Sequence, residues 1–221
     1  TGALVLGPLM HDSAPVGCAF EDNRRWLASV TKAGVIHLWD RHTGASVNSP
    51  RPTGIASLRN LSLSRCGRYL LAYGGRYAAV LRLDALSEPA SILEHERWIS
   101  NACFSPEGET LATLARPSVQ VWRTADLQPL TAPITAGDSA LLEFSPDGDF
   151  LAYHGPALLD RRTWRITRKF PMTTHLATAN FSPSGGLLAG WDWEGYLHLW
   201  DTSSGARLWP PQYLAPRISG S

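Results

Sequence analysis

Apolar residues in this chain arrive in short runs and not in stripes three and four residues apart. Segments such as VIHLWD (35–40), ALLEF (140–144) and FLAYH (150–154) are about five residues long, rich in β-branched and aromatic side chains, and bounded by Gly, Pro, Asp and Ser. Runs of this length between turn residues predict short β-strands. No segment keeps a helical period over more than about ten residues.

The runs recur. An apolar strand ending in Phe-Ser-Pro, an acid-Gly turn and a second strand appear as FSPEG (104–108), FSPDG (144–148) and FSPSG (181–185), with weaker copies FEDNR (20–24) and LSRCG (63–67). The anchors at 20, 63, 104, 144 and 181 are 43, 41, 40 and 37 residues apart. Leu-Ala pairs follow each turn, at Ala28, Ala72, Ala112, Ala152 and Ala189. A third landmark falls on Trp39, Leu83, Trp122, Leu159 and Trp200. The two copies of His-Leu-Trp-Asp, whose histidines His37 and His198 lie 161 residues apart, are thus the first and fifth instances of one strand. In Ser-Pro-Asp-Gly, Pro146 presets φ for the first corner, Asp147 tolerates the second and Gly148 takes the positive φ that closes the hairpin.

Four short strands per forty-residue unit, repeated along a chain, predict an all-β propeller of five four-stranded blades over residues 1–214, with 215–221 as a tail. One blade cannot bury both of its faces and needs a neighbour on each side; the alanines are expected to allow that close approach. The chain opens with an outer-strand segment (TGALVLGPL) and ends with another (SGARLWPPQYL). That is one more than a closed ring uses. The expectation is a part of a larger or inter-chain ring; a five-bladed ring with a spare strand is the alternative.

Composition narrows the chemistry. Twenty Lys and Arg balance nineteen Asp and Glu, a net charge of +1, which argues against a nucleic-acid backbone as general partner. Cys18, Cys66 and Cys103 are an odd count without a CxxC pair. Neither a disulfide framework nor a zinc site is expected, and a reducing, cytoplasmic compartment fits. No apolar run approaches the length of a membrane span, and no cofactor is implied. A basic run, Arg161, Arg162, Arg165, Arg168 and Lys169, reads as a solvated outer edge that discourages strand pairing.

The combination of FSPDG, LWD and TG at these intervals resembles the WD-repeat family, with LGPLMHD and RLWPPQ similar to bacterial members. Such bacterial propellers are often fused to kinase, NTPase or peptidase-like domains. The resemblance implies a polar relay inside each blade: a His before the first strand, a Ser or Thr in the second and the Trp of the third. Here that maps to His11, Ser29 and Trp39 in unit one and His95, Thr113 and Trp122 in unit three. The relay's Asp is missing from both, with Lys32-Ala33 and Arg116-Pro117 in its turn. The resemblance also implies a partner-binding face made by the loops before the first strand and between strands two and three. Mapped here, that face carries Lys32, Arg76, Tyr77, Arg97, Trp98, Arg116, His154 and the turn WDWEG with Trp191, Asp192, Trp193 and Glu194, together with Asp12, Asp138 and His175. The expected function is non-catalytic: a protein-interaction, scaffolding or sensor module whose partner is a protein or further blades. A propeller hydrolase, glycosidase or peptidase in type, with carboxylates or a triad at the central opening, is the alternative.

Overall fold

The computed structural model describes residues 8–20, 26–47, 49–85, 87–136, 141–153, 157–171 and 176–213. Among them, twenty strands form five four-stranded antiparallel sheets, one per repeat. Blade 1 is β1 (Pro15–Phe20), β2 (Trp26–Thr31), β3 (Val35–Asp40) and β4 (Arg51–Pro52). Blade 2 is β5 (Asn60–Leu63), β6 (Tyr69–Gly74), β7 (Tyr77–Arg82) and β8 (Ser91–Glu94). Blade 3 is β9 (Ile99–Phe104), β10 (Thr110–Ala115), β11 (Ser118–Arg123) and β12 (Ile134–Thr135). Blade 4 is β13 (Leu142–Phe144), β14 (Phe150–Tyr153), β15 (Ala157–Asp160) and β16 (Ile166–Lys169). Blade 5 is β17 (Leu176–Phe181), β18 (Leu187–Asp192), β19 (Tyr196–Asp201) and β20 (Gln212–Tyr213). Strands pair in chain order within every blade. First strands of successive blades lie side by side, β1 by β5, β5 by β9 and β9 by β13, so these strands are innermost. The opening segment TGALVLGPL falls largely outside the described residues, as do His154, Asp138, His175 and the tail.

The Phe-Ser-Pro turns are bracketed by their serine. Ser145 Oγ accepts the N–H of Phe150 at 2.9 Å and donates to Asp147 Oδ1 at 2.5 Å. Ser64, Ser105 and Ser182 accept the N–H five residues on in the same way. Gly148 closes its turn at φ 77°, a conformation that a side chain resists.

Side chains alternate between the two sides of each blade. Those facing the next blade form its leading face, and those facing the previous blade its trailing face. Ala28, Val30, Ile36 and Leu38 of blade 1 lead onto Leu58, Leu70, Ala72, Ala79 and Leu81 of blade 2. Leu71, Ala78 and Val80 lead onto Ile99, Ala102, Phe104 and Leu111 of blade 3. Ala112, Leu114, Val119 and Val121 lead onto Leu142, Phe144, Leu151 and Leu159 of blade 4. Ala152 and Leu158 lead onto Leu176, Ala179, Leu188 and Trp200 of blade 5. Each buried Leu or Ile contributes about 1.5–3 kcal/mol, so these four junctions are the core.

Blade 2 departs from the expected register. Leu70 pairs with Leu81 as Leu111 pairs with Trp122. Leu81, not Leu83, therefore holds the Trp position, and Leu71 stands where Ala112 does. Ala72 is one residue further on and turns to the trailing face, because a one-residue shift along a strand flips a side chain across the sheet. Its packing is with blade 1, opposite to that of Ala28, Ala112 and Ala152. Ala189 of blade 5 is only half-buried.

Candidate functional site

The histidines and the Trp-Asp dipeptides have structural explanations. In blade 1 the relay is made: Trp39 Nε1–H donates to Ser29 Oγ at 2.9 Å, and His11 Nε2 is bonded to the same oxygen at 2.7 Å. His37 is buried, stacked on Trp39 with ring centroids 5.6 Å apart, and lies 3.4 Å from the Asp12 carboxylate. In blade 3 the relay is half made. Trp122 Nε1–H reaches Thr113 Oγ1 at 2.9 Å, but His95 meets Trp122 edge-on at 5.6 Å and its Nε2 is buried without a hydrogen bond. Burial holds the His95 pKa below the ordinary 6.5. His95 is thus a packing residue here, correcting its expected place in the relay.

Blade 5 uses a different clamp. Gly190, opposite His198, stands where Ser29 stands opposite His37, so Trp200 Nε1 is buried without a partner among the described residues. A side chain at Gly190 would press on Ala179 at 2.8 Å. In compensation, Asp192, 3% exposed, bonds His198 Nε2 at 2.9 Å and accepts the Tyr196 N–H at 2.8 Å. Asp192 therefore leaves the expected binding face and becomes structural. The aspartates after the Trp position are turn caps. Asp40 and Asp160 each accept two backbone N–H groups and a Thr hydroxyl. Asp201 is held down at a pKa of about 2 by the Ser203 hydroxyl and by Ser204.

On the loop face, four expected residues are brought together. Arg76, Arg97, Trp98 and Arg116 line one open groove of 620 Å³ between blades 2 and 3, with Glu96 and Ser100. Arg76 comes from the turn between β6 and β7, Arg116 from that between β10 and β11, and Arg97 and Trp98 from the loop before β9. Trp98 is 77% exposed. Arg76 Nη2 is tied to Glu94 Oε1 at 2.6 Å, and the Tyr77 hydroxyl donates to the same oxygen at 3.2 Å. Tyr77 belongs to β7 and braces the groove wall; its expected role as a free loop residue is corrected. Lys32 is exposed in the β2–β3 turn of blade 1 and does not line the groove. Trp193 and Glu194 are exposed in the β18–β19 turn. Trp191 lies not in that turn but on β18, on the flat leading side of blade 5, and is 49% exposed.

The opposite ends of the inner strands enclose a central cavity of 430 Å³, lined by the Phe-Ser-Pro segments of blades 3 to 5 with Arg65 and Glu143. Burial raises the Glu143 pKa, against the hydrogen bonds that it accepts from the Phe181 N–H and the Asn180 amide. Among the described lining residues Glu143 is the one carboxylate, and glycoside hydrolysis uses two. The basic run sits in the turn before β16 and on that strand. Arg161 bridges to Glu107 and Glu109 of blade 3 at 3.2 and 3.3 Å, and Arg168 Nε–H donates to the Ser203 carbonyl of blade 5 at 2.8 Å. The run thus ties blade 4 to both neighbours.

A family model described as "WD domain, G-beta repeat" matches residues 7–40, the stretch that contains His11, Ser29, Trp39 and Asp40. Residues 7–40 thus match a WD40 repeat, and the four other sheets repeat its construction. The matched stretch is the blade in which His11, Ser29 and Trp39 are joined; blades 2 and 4 have Leu81 and Leu159 at the Trp position, where the relay has no donor. The nuclear distribution protein nudF of Emericella nidulans is 34% identical over 110 residues, covering 48% of this chain and 24% of that protein. The chain thus spans about a quarter of that relative's length. The crystal structure of the Myceliophteria thermophila Cps50 (Swd1) β-propeller domain superposes with a TM-score of 0.71 at 17% identity, covering 87% of this chain and 66% of that one. No helix among the described residues is long and apolar enough to cross a membrane.

Proposed function

We propose that this WD40 chain is a non-catalytic recognition module that captures a protein partner on its loop face, at the groove between blades 2 and 3. The observation that carries this reading is the convergence of Arg76, Arg97 and Arg116 around an indole, Trp98, that is 77% exposed. Trp and Arg are the residue types that dominate binding energy at interfaces. Arg76 is pre-positioned by Glu94, and the loops that present these side chains spring from strands packed in two adjacent junctions. A partner would meet a rigid surface and lose little free energy to ordering. Display selection of random peptides on the immobilised chain tests this, with an Arg97→Ala/Trp98→Ala/Arg116→Ala variant as counter-selection. Peptides retained by the wild type and lost by the variant are expected. Trp98→Ala alone should weaken them at least about tenfold, with the thermal midpoint unchanged. Enrichment that ignores all three substitutions overturns the reading.

A further inference from the structure

The surface arginines differ between the two ends of the blades. At the end that carries the Phe-Ser-Pro turns they are matched by acids. Arg82 meets Asp84 at 3.1 Å and Glu88 at 3.6 Å, Arg123 meets Asp126 at 2.8 Å, and Arg161 meets Glu107 and Glu109 at 3.2 and 3.3 Å. At the loop face the match is incomplete. Arg76 has Glu94 at 2.6 Å. Arg97 and Arg116 are exposed, and their side chains have neither an ion pair nor a hydrogen bond among the described residues. Lys32 and Arg59, exposed at the same end of blades 1 and 2, extend the positive surface beyond the groove.

The backbone fixes these unmatched charges in place. The His95 N–H donates to the Arg76 carbonyl at 2.8 Å, and the Ile99 N–H to the Gly75 carbonyl at 2.7 Å. Residues 96–98 therefore arch from a turn of blade 2 with both feet held. The turn that carries Arg116 is held on both sides as well. Ser100 Oγ–H donates to the Leu114 carbonyl at 3.2 Å, and the Ala136 N–H to the Pro117 carbonyl at 2.7 Å. Two guanidiniums without a counter-charge thus stand on a fixed frame beside the exposed Trp98 indole. Each offers a planar fork of N–H donors whose spacing matches the two oxygens of a carboxylate. The indole offers an apolar face between them and the solvent.

We infer that the groove takes an acidic, unphosphorylated peptide segment, with carboxylates answering Arg97 and Arg116 and one apolar side chain lying on the Trp98 ring. The inference rests on the groove being the docking site and adds what that site selects. Carboxylates suit it better than phosphate does. Glu96 belongs to the same lining and repels a dianionic phosphate more strongly than a singly charged carboxylate. Arg76 is already part-neutralised by Glu94. The arginines rise from three separate segments along an open groove of 620 Å³, which fits charges spread along a chain. A nucleic-acid strand, with a phosphate at every step, needs an unbroken positive track, and Glu94 and Glu96 interrupt this one. An acidic run broken by an apolar residue meets both the arginines and the indole.

Fluorescence anisotropy with short labelled peptides tests this. One carries a central Phe flanked by Asp and Gly, a second has Lys in place of Asp, and a third has phosphoserine in place of Asp; a labelled oligothymidylate is the fourth probe. The Asp peptide is expected to bind at least about tenfold more tightly than the Lys peptide, and to weaken as salt is raised. Arg97→Glu/Arg116→Glu should reverse the preference, so that the Lys peptide is taken and the Asp peptide is lost. Arg97→Gln/Arg116→Gln, which adds no charge, should weaken the Asp peptide and leave the Lys peptide unbound. Lys32→Glu, outside the groove, should change binding by less than about twofold. The inference is overturned if the Lys peptide binds as well as the Asp peptide, or if neither double substitution weakens the Asp peptide. It is also overturned if the phosphoserine peptide or the oligothymidylate binds more than about tenfold more tightly than the Asp peptide. Failure of the Asp peptide to bind, with display-selected peptides still lost by Arg97→Ala/Trp98→Ala/Arg116→Ala, overturns the acidic preference and leaves the groove as the docking site. Selected peptides that ignore that variant remove the docking site itself.

Discussion

Replacing Ser29 by Ala removes one oxygen that serves two partners. Ser29 is 5% exposed, and its Oγ accepts the Trp39 indole N–H at 2.9 Å while bonding His11 Nε2 at 2.7 Å. The methyl group left behind bonds to neither. An orphaned buried polar group costs about 1–3 kcal/mol. Trp39 is 7% exposed and cannot turn to water, whereas His11 is half-buried and can in part. The expected loss is about 2–3 kcal/mol. Thr113→Val in blade 3 is the internal control. It keeps the side-chain volume and deprives Trp122, half-buried and at 2.9 Å from Thr113 Oγ1, and removes one long hydroxyl donation, at 3.4 Å, to the Gln120 carbonyl, so about 1 kcal/mol is expected. Urea denaturation followed by far-ultraviolet circular dichroism reads the difference, which should separate the two midpoints by roughly 0.5 M. A His11→Ala/Ser29→Ala cycle should show coupling of at least about 0.5 kcal/mol. If Ser29→Ala costs no more than Thr113→Val, or the cycle shows no coupling, the relay does not hold blade 1 and packing alone does.

Asp192→Ala leaves His198 buried without its partner and is expected to cost about 3 kcal/mol; a midpoint shift no larger than that of an exposed-turn substitution such as Glu194→Ala would refute this. The depressed pKa of His95 has a definite sign: the folded state resists its protonation, so its contribution is complete above about pH 6.5 and is lost as pH falls through the lower folded value. Urea midpoints taken from pH 8 to 5 should therefore fall more steeply for the wild type than for His95→Gln; parallel curves would count against it. The Cys103 thiol, half-buried in the wall of the central cavity, is pushed up to about 12 by burial, whereas Cys18 is exposed. Mass-spectrometric labelling at pH 8 should modify Cys18 well before Cys103, and the reverse order would contradict the partial burial and raised pKa of Cys103.

The groove was only partly legible in the sequence. Arg76, Arg97, Trp98 and Arg116 come from loops up to forty residues apart, and their type and repeat position marked them as loop-face residues. That these four share one groove, while Lys32 stands apart, follows from the order in which blades neighbour one another. Tyr77 and Asp192 were misplaced for a local reason. Each sits one residue from a turn, where a single step decides between solvent and sheet. Blade 2 failed in the same way: its Leu-Ala pair is shifted by one residue against the other blades, and period-two geometry turns that slip into a change of face.

The sequence by itself determined the repeat, the five sheets and the hairpin turns, because these depend on contacts within some forty residues: a serine bracketing its own turn, an aspartate capping the next, alternating side chains on paired strands. Tertiary structure decided which histidines are clamped, which aromatic residues are exposed and which faces are covered. Ala28 and Ala189 occupy the same place in the same motif, yet one is sealed and the other is not. The difference lies outside the motif, in whether another sheet rests on it, and burial is a property of the neighbour as much as of the residue.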